Sequence, residues 1–175
     1  MTNLSPNIHP VCAVCNFFFH DGLMTMNNTI RLLVVDDFDS FRQWICLRRK
    51  THSRFFIAGE AANAQEAIQK ARELIPDLVL LDLSLPDANG LDVQQELHRV
   101  VPSTKVLFLS GWGDENIVRR ALDNGAGGYL LKADAYQELV LAMESVVLGT
   151  RFVSSGLKTT RNTAQSFRYR LADAT

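Results

Sequence analysis

The chain has 175 residues, of which 47% are hydrophobic and 21% are charged. This length suits one domain with tails, and the balance is typical of a globular protein rather than a disordered chain. The net charge of −1 argues against a chain that binds polyanions along its whole length. The 3 cysteines are too few for a disulfide scaffold and fit a reducing compartment. No apolar run is long enough to cross a bilayer.

Residues 1–29 differ from the rest of the chain and are predicted to be an unstructured extension. They contain no Lys or Arg, which argues against a secretory signal. Cys12 and Cys15, with His9 and His20 nearby, have the spacing of half a zinc site. A lone Cys-x-x-Cys pair is a weak signal for zinc, so the extension predicts no metal site on its own.

From residue 30 onward, short apolar runs alternate with segments of helical periodicity. The predicted strands are Ile30–Val35, Phe55–Ala58, Leu78–Leu81, Val106–Leu109 and Gly128–Leu131. The predicted helices are Phe38–Lys50, Asn63–Leu74, Leu91–Val100, Asp114–Gly125 and Asp134–Leu148. This alternation predicts an α/β domain with a five-stranded parallel sheet and helices on both faces.

Polar residues follow four of the predicted strands at the point where each strand ends. They are Asp36 and Asp37 after the first strand, Asp82 after the third, Ser110 after the fourth and Lys132 after the fifth. Ligands bind beyond the carboxyl ends of the strands in open parallel sheets, so we expect these side chains to converge. Each residue alone is an ordinary turn or cap residue, but their combination at four strand ends indicates a site.

The residue types suit phosphoryl transfer, which depends on positioning and on charge stabilisation. Three neighbouring carboxylates repel one another, and a hard dication such as Mg²⁺ relieves that repulsion. One carboxylate can then act as a nucleophile toward phosphorus and form an aspartyl phosphate. An ammonium and a hydroxyl can contact the phosphoryl oxygens.

Four stretches of the chain resemble the receiver domain of bacterial two-component response regulators. They are residues 32–37, 80–90, 107–111 and 125–132, within a resemblance that runs from 30 to 154. The ending of the domain is similar to receivers of the NarL/FixJ kind. The resemblance implies a flavodoxin-like receiver fold with strand order 2-1-3-4-5 over residues 30–150. Residues 151–175 are predicted to be a linker-like basic tail.

The resemblance also implies roles for the acidic residues. Asp82 resembles the phosphoacceptor. Asp37 and Asp82 resemble the direct Mg²⁺ ligands, Asp36 acts through water, and the backbone carbonyl of Ser84 completes the protein ligands.

Three further residues resemble the family's switch and phosphate-binding positions. Lys132 resembles the lysine that pairs with the phosphoryl group, and Ser110 resembles the hydroxyl that moves toward it. Tyr129 resembles the aromatic residue that turns inward after that move. Ala133 departs from the pattern, because many receivers have a cis proline after the lysine.

The family implies a cytoplasmic signalling domain rather than an enzyme. Its expected partners are a histidine kinase or phosphotransfer protein and an output protein, and a homodimer is left open. Membrane association is not expected. DNA binding is not expected of this chain alone, although residues 151–175 carry 5 basic residues and 1 acidic residue. The alternative is a truncated DNA-binding regulator of which only the receiver remains.

Two other functions fit parts of the sequence less well. The segment Asp37-Phe38-Asp39 loosely fits the Asp-x-Asp motif of haloacid dehalogenase phosphohydrolases, but it leaves Asp82 unexplained. The second function is a receiver fold that docks partners without phosphorylation. The presence of all three acidic residues, Asp36, Asp37 and Asp82, argues against it.

Overall fold

The computed structural model describes residues 17–20, 23–26, 29–49 and 53–157. Eight strands and five helices follow one another within these ranges. The strands are β1 Phe17–His20, β2 Leu23–Met26, β3 Ile30–Val35, β4 Phe55–Ala61, β5 Leu78–Asp82, β6 Lys105–Ser110, β7 Gly128–Leu131 and β8 Phe152–Val153. The helices are α1 Asp39–Arg49, α2 Ala64–Leu74, α3 Gly90–Val100, α4 Glu115–Asp123 and α5 Ala135–Val147.

Strands β3 to β8 form a parallel sheet in the order β4-β3-β5-β6-β7-β8. The five predicted strands and their order are confirmed, but the sheet has six strands rather than five. The additional strand, β8, pairs with β7 through the register Gly128↔Phe152 and Tyr129↔Val153. Because it has only two residues, no periodicity in the sequence could indicate it.

Helices cover both faces of the sheet, as predicted. Alternate residues of each central strand point to opposite faces, so Leu33 joins a core with α2, α3 and α4, while Leu32 joins a core with α1 and α5. Both leucines are fully buried. Strands buried on both faces explain the continuous apolar runs in the sequence.

Helix α2 begins with a capping box formed by Asn63 and Glu66. Asn63 Oδ1 accepts a hydrogen bond of 2.8 Å from the Glu66 amide, and Glu66 Oε2 accepts one of 3.3 Å from the Ala62 amide. The loop after β5 adds a second cap, because the Asp87 carboxylate accepts from the amides of Ala64 and Gln65. Free N–H groups at the first turn of α2 are thereby satisfied.

Two segments outside residues 30–150 are ordered by pairing or packing. Strands β1 and β2 pair as an antiparallel hairpin within the stretch predicted to be unstructured. At the other end, Ser154 is fully buried and Leu157 is 8% exposed, within the stretch predicted to be a linker-like tail. The first residues of the predicted tail therefore belong to the folded domain. For the residues that the structure does not describe, the predicted domain boundaries at residues 29 and 150 stay predictions.

Candidate functional site

The sheet topology places the predicted site residues at one edge. Asp36 follows β3, and Asp82 and Ser110 are the last residues of β5 and β6. Lys132 follows β7. Since β3, β5, β6 and β7 are successive neighbours in a parallel sheet, their carboxyl ends lie side by side.

Three carboxylates form an acidic cluster of Asp36, Asp37 and Asp82. One oxygen of each residue lies within 4.8 Å of the others. Asp36 and Asp82 are buried, whereas Asp37 is exposed. Asp36 Oδ2 is buried, and the Lys132 ammonium lies 2.6 Å from it. Three carboxylates this close together fit a hard cation such as Mg²⁺, which prefers oxygen ligands.

Lys132 bridges the two buried carboxylates. Its Nζ atom donates a 2.7 Å hydrogen bond to Asp82 Oδ2. It also lies 2.6 Å from Asp36 Oδ2, in an ion pair without hydrogen-bond geometry. Burial alone would lower the pKa of Lys132, but the two carboxylates together outweigh burial and raise the pKa. The ammonium is therefore held in its charged form at the acidic cluster.

The carboxyl of Asp82 occupies an environment that disfavours its charge. Burial raises the pKa of Asp82 above its ordinary value, and repulsion from Asp36 adds to the effect. The bonds from Lys132 and from the Ser84 amide, which donates to Asp82 Oδ1 at 3.3 Å, oppose this rise without cancelling it. A cation bound beside Asp82 would therefore stabilise the ionised form of this carboxyl.

The loop between β5 and α3 closes tightly behind Asp82. The Gly90 amide donates a 2.7 Å hydrogen bond to the Leu83 carbonyl, and Ser84 pairs with Asn89. A Cβ atom on Gly90 would lie 2.4 Å from the carbonyl oxygen of Asp82. Only glycine fits at this position without moving the backbone at Asp82.

Ser110 and Tyr129 are both bound to the backbone of Trp112. The Trp112 amide donates to Ser110 Oγ at 3.0 Å, and the Tyr129 hydroxyl donates to the Trp112 carbonyl at 2.8 Å. The sequence did not indicate Trp112 as a bridge, because its contribution comes from its backbone. Its indole is 73% exposed. The hydrogen bonds therefore tie both predicted switch residues to the start of the β6–α4 loop.

Tyr129 lies inward in the structure. Its side chain is fully buried and stacks on Phe108 with 5.9 Å between ring centroids, and its turn on phosphorylation stays a prediction. Burial also raises the pKa of the Tyr129 hydroxyl, which stays protonated as a donor.

Lys132 reaches the acidic cluster although alanine, and not the proline common in receivers, follows it in the chain. No cis peptide bond occurs in the described part of the chain. The Lys132 amide donates to the Ser110 carbonyl at 2.8 Å, and the side chain reaches both Asp36 and Asp82.

Sequence reasoning missed Arg42, a residue of α1 whose guanidinium reaches the backbone of the acidic cluster. It donates to the Asp36 carbonyl at 2.7 Å. A carbonyl acceptor has no signature in the sequence, so only the fold reveals this contact. In contrast, Cys12, Cys15, His9 and the His20 side chain of the weak zinc prediction lie outside the described residues.

No helix within the described ranges is both long enough and apolar enough to span a membrane.

Comparisons with known proteins agree with this arrangement. A family model described as the response regulator receiver domain matches residues 32–144. Response regulator protein VraR of Staphylococcus aureus is 36% identical over 121 residues, which cover 69% of this chain and 58% of VraR. The chain therefore spans little more than half the length of that relative.

Two solved structures extend the likeness to the fold. A LuxR-family two-component response regulator from Aurantimonas sp. SI85-9A1 has a TM-score of 0.73 at 27% identity, covering 79% of this chain and 99% of that one. The receiver domain of the putative response regulator NarL from Mycobacterium tuberculosis has a TM-score of 0.66 at 30% identity, covering 70% and 98% of the two chains. The matched residues contain the acidic cluster and Lys132. The chain belongs to the response-regulator receiver family of two-component systems and is of the NarL-like kind.

Proposed function

We propose that the chain accepts a phosphoryl group on Asp82 from a phosphohistidine of a partner kinase or phosphotransfer protein. The observation that carries this proposal is the contact of Lys132 with Asp82 and Asp36, beside the third carboxylate of Asp37. A nucleophilic carboxylate, a buried cation and a place for a divalent ion are the components that phosphoryl transfer uses.

In the proposed step, a carboxylate oxygen of Asp82 attacks phosphorus. A bond between that oxygen and phosphorus forms as the phosphorus–nitrogen bond of the phosphohistidine breaks, and the histidine leaves as the free imidazole after taking up a proton. Asp36, Asp37, Asp82 and the backbone carbonyl of Ser84 would hold Mg²⁺. When bound, this ion offsets the negative charge on the phosphoryl oxygens.

Lys132 and Ser110 then hold the product. The Lys132 ammonium already lies 2.7 Å from Asp82 Oδ2 and can contact a phosphoryl oxygen on the same residue. Ser110 Oγ accepts a bond from Trp112, so its own proton can be donated to another oxygen. The phosphoryl group adds a charge of about −1.5 to −2, which biases the β6–α4 loop between two arrangements. The site is a signalling site that assists its own phosphorylation rather than one that turns over a substrate.

The phosphohydrolase alternative is disfavoured by the position of Asp39. This residue lies in the first turn of α1, where its carboxylate accepts from Arg42 and Gln43. Its side chain is 65% exposed. The second acid of an Asp-x-Asp pair would instead have to reach the substrate at the acidic cluster.

The family suggests a cellular location and partners for the chain. We infer a cytoplasmic location, a kinase or phosphotransfer protein as phosphodonor and an output protein as the recipient of the signal. A second candidate function, the receiver part of a DNA-binding regulator, is favoured by the LuxR-family names of related structures. A gel-shift assay with and without phosphorylation tests it, and we expect no specific binding by this chain alone.

The proposal is tested by intact-mass measurement after treatment with Mg²⁺ and acetyl phosphate. We expect the wild-type chain to gain one phosphoryl group, and we expect no gain with a chelator or in Asp82→Asn. Absence of the gain in a folded wild-type chain would overturn the proposal and favour a docking module that works without phosphorylation. Continuous release of phosphate from an added phosphate ester would instead support the phosphohydrolase.

A further inference from the structure

Arg42 is a largely buried cation at the back of the acidic cluster, with its side chain 13% exposed. Its guanidinium donates to three acceptors. They are the Asp36 carbonyl at 2.7 Å, Asp39 Oδ1 at 2.8 Å and Glu60 Oε2 at 3.3 Å. These acceptors belong to the end of β3, the start of α1 and the end of β4. The planar fork of an arginine presents donors from three nitrogens in a fixed spread, whereas a lysine donates from a single nitrogen.

Two of the hydrogen bonds at this point hold the backbone on both sides of Asp37. Arg42 binds the carbonyl that precedes Asp37, and the Phe38 amide that follows it donates to Asp36 Oδ1 at 2.9 Å. The Asp37 side chain itself is exposed and makes no hydrogen bond or ion pair within the described part of the chain. Its direction toward Asp36 and Asp82 therefore depends on how its backbone is held.

We infer that Arg42 is a positioning residue that sets the affinity of the acidic cluster for Mg²⁺ by fixing the peptide between Asp36 and Asp37. This inference rests on the proposed function, because Asp37 is a proposed ligand of the ion. Groups that orient metal ligands from behind typically change metal affinity by about 10–100-fold when they are removed. The observation that supports this role is the 2.7 Å bond from Arg42 to the Asp36 carbonyl.

The sign of the effect separates positioning from simple electrostatics. Arg42 is a positive charge near a cation site, and its removal would also leave the carboxylates of Asp39 and Glu60 without this partner. A purely electrostatic role therefore predicts that Arg42→Ala binds Mg²⁺ more tightly. Positioning predicts weaker binding, because Asp37 loses its fixed direction.

The experiment is a calorimetric titration of the full chain with Mg²⁺ in the absence of any phosphodonor. The variants are Arg42→Ala and Arg42→Lys, and the matched control is Arg54→Ala. Arg54 is a partly exposed arginine that pairs with Glu144 at 3.0 Å, so its loss changes the net charge equally but touches no residue of the acidic cluster. Circular dichroism without Mg²⁺ first establishes that each variant is folded at the titration temperature.

We expect the dissociation constant for Mg²⁺ to rise about tenfold in Arg42→Ala and to stay near the wild-type value in Arg54→Ala. Arg42→Lys keeps the positive charge but loses the planar guanidinium, so its dissociation constant should lie between those of wild type and Arg42→Ala. If Arg42→Ala does not fold, Arg42→Lys provides the test. Wild-type affinity, or tighter binding, in the folded Arg42 variants would overturn this inference alone. Absence of Mg²⁺ binding by the wild-type chain would overturn it together with the metal site of the proposed function.

Discussion

At the scale of single residues, Asp82 carries a charge that the folded chain disfavours. Its folded pKa lies above the ordinary value of 3.8, chiefly because the carboxyl is buried. The folded chain therefore holds a proton on Asp82 at pH values where the unfolded chain has released it. Stability falls as the pH rises from 3.8 through the raised pKa, and the full penalty is present above it.

We therefore predict that Asp82→Asn unfolds at higher urea concentration than wild type at neutral pH without Mg²⁺. The difference should shrink as the pH falls through the raised pKa of Asp82 toward 3.8. Urea titrations of both chains at several pH values with a chelator measure it. Added Mg²⁺ should stabilise wild type more than Asp82→Asn, because it binds the folded chain through this carboxylate. A lower or pH-independent stability of the variant relative to wild type would contradict the prediction.

The residues of the site differ in whether the sequence alone could indicate them. Asp36, Asp82 and Lys132 were predicted as a group because each follows a strand, and the structure brings them within hydrogen-bond or ion-pair distance. Arg42 and Trp112 were not predicted as part of the site. Arg42 donates to a backbone carbonyl and Trp112 bonds through its own backbone, and no residue pattern encodes such contacts.

At the scale of elements, β8 and the residues after it form part of the domain. The Phe152 amide bonds the Gly127 carbonyl, and the Ser154 amide bonds the Tyr129 carbonyl. Leu157 then packs at Gly113, where a Cβ atom would lie 2.5 Å from its Cδ2 atom. The five predicted strands were visible as apolar runs of four to six residues. This segment was not visible, because two residues and one leucine have no period.

We predict that Leu157→Ala lowers the free energy of unfolding by about 2–3 kcal/mol, at the lower end of the range for a buried leucine. The control is Leu148→Ala, which removes a side chain that is 72% exposed and should change stability by less than about 0.5 kcal/mol. Urea unfolding of the two full-length variants compares them. Equal, small losses would show that the segment after β8 does not contribute to the core.

At the scale of the whole molecule, a parallel sheet explains why a site distant in sequence is compact in space. Asp36 and Lys132 are 96 positions apart, yet their side chains lie 2.6 Å from each other. The order of the strands was predictable from the alternation of strands and helices together with the family resemblance. The sixth strand was not predictable, because its two residues carry no periodicity and packing in three dimensions decides its pairing.

The central claim is that Asp82, and not another carboxylate of the acidic cluster, receives the phosphoryl group. The most direct measurement treats the chain with Mg²⁺ and acetyl phosphate, reduces the acyl phosphate with borohydride and locates the resulting homoserine by peptide mass spectrometry. We expect homoserine at position 82 and at no other position. Homoserine at position 36 or 37, or no homoserine in a chain shown to be folded, would contradict the account.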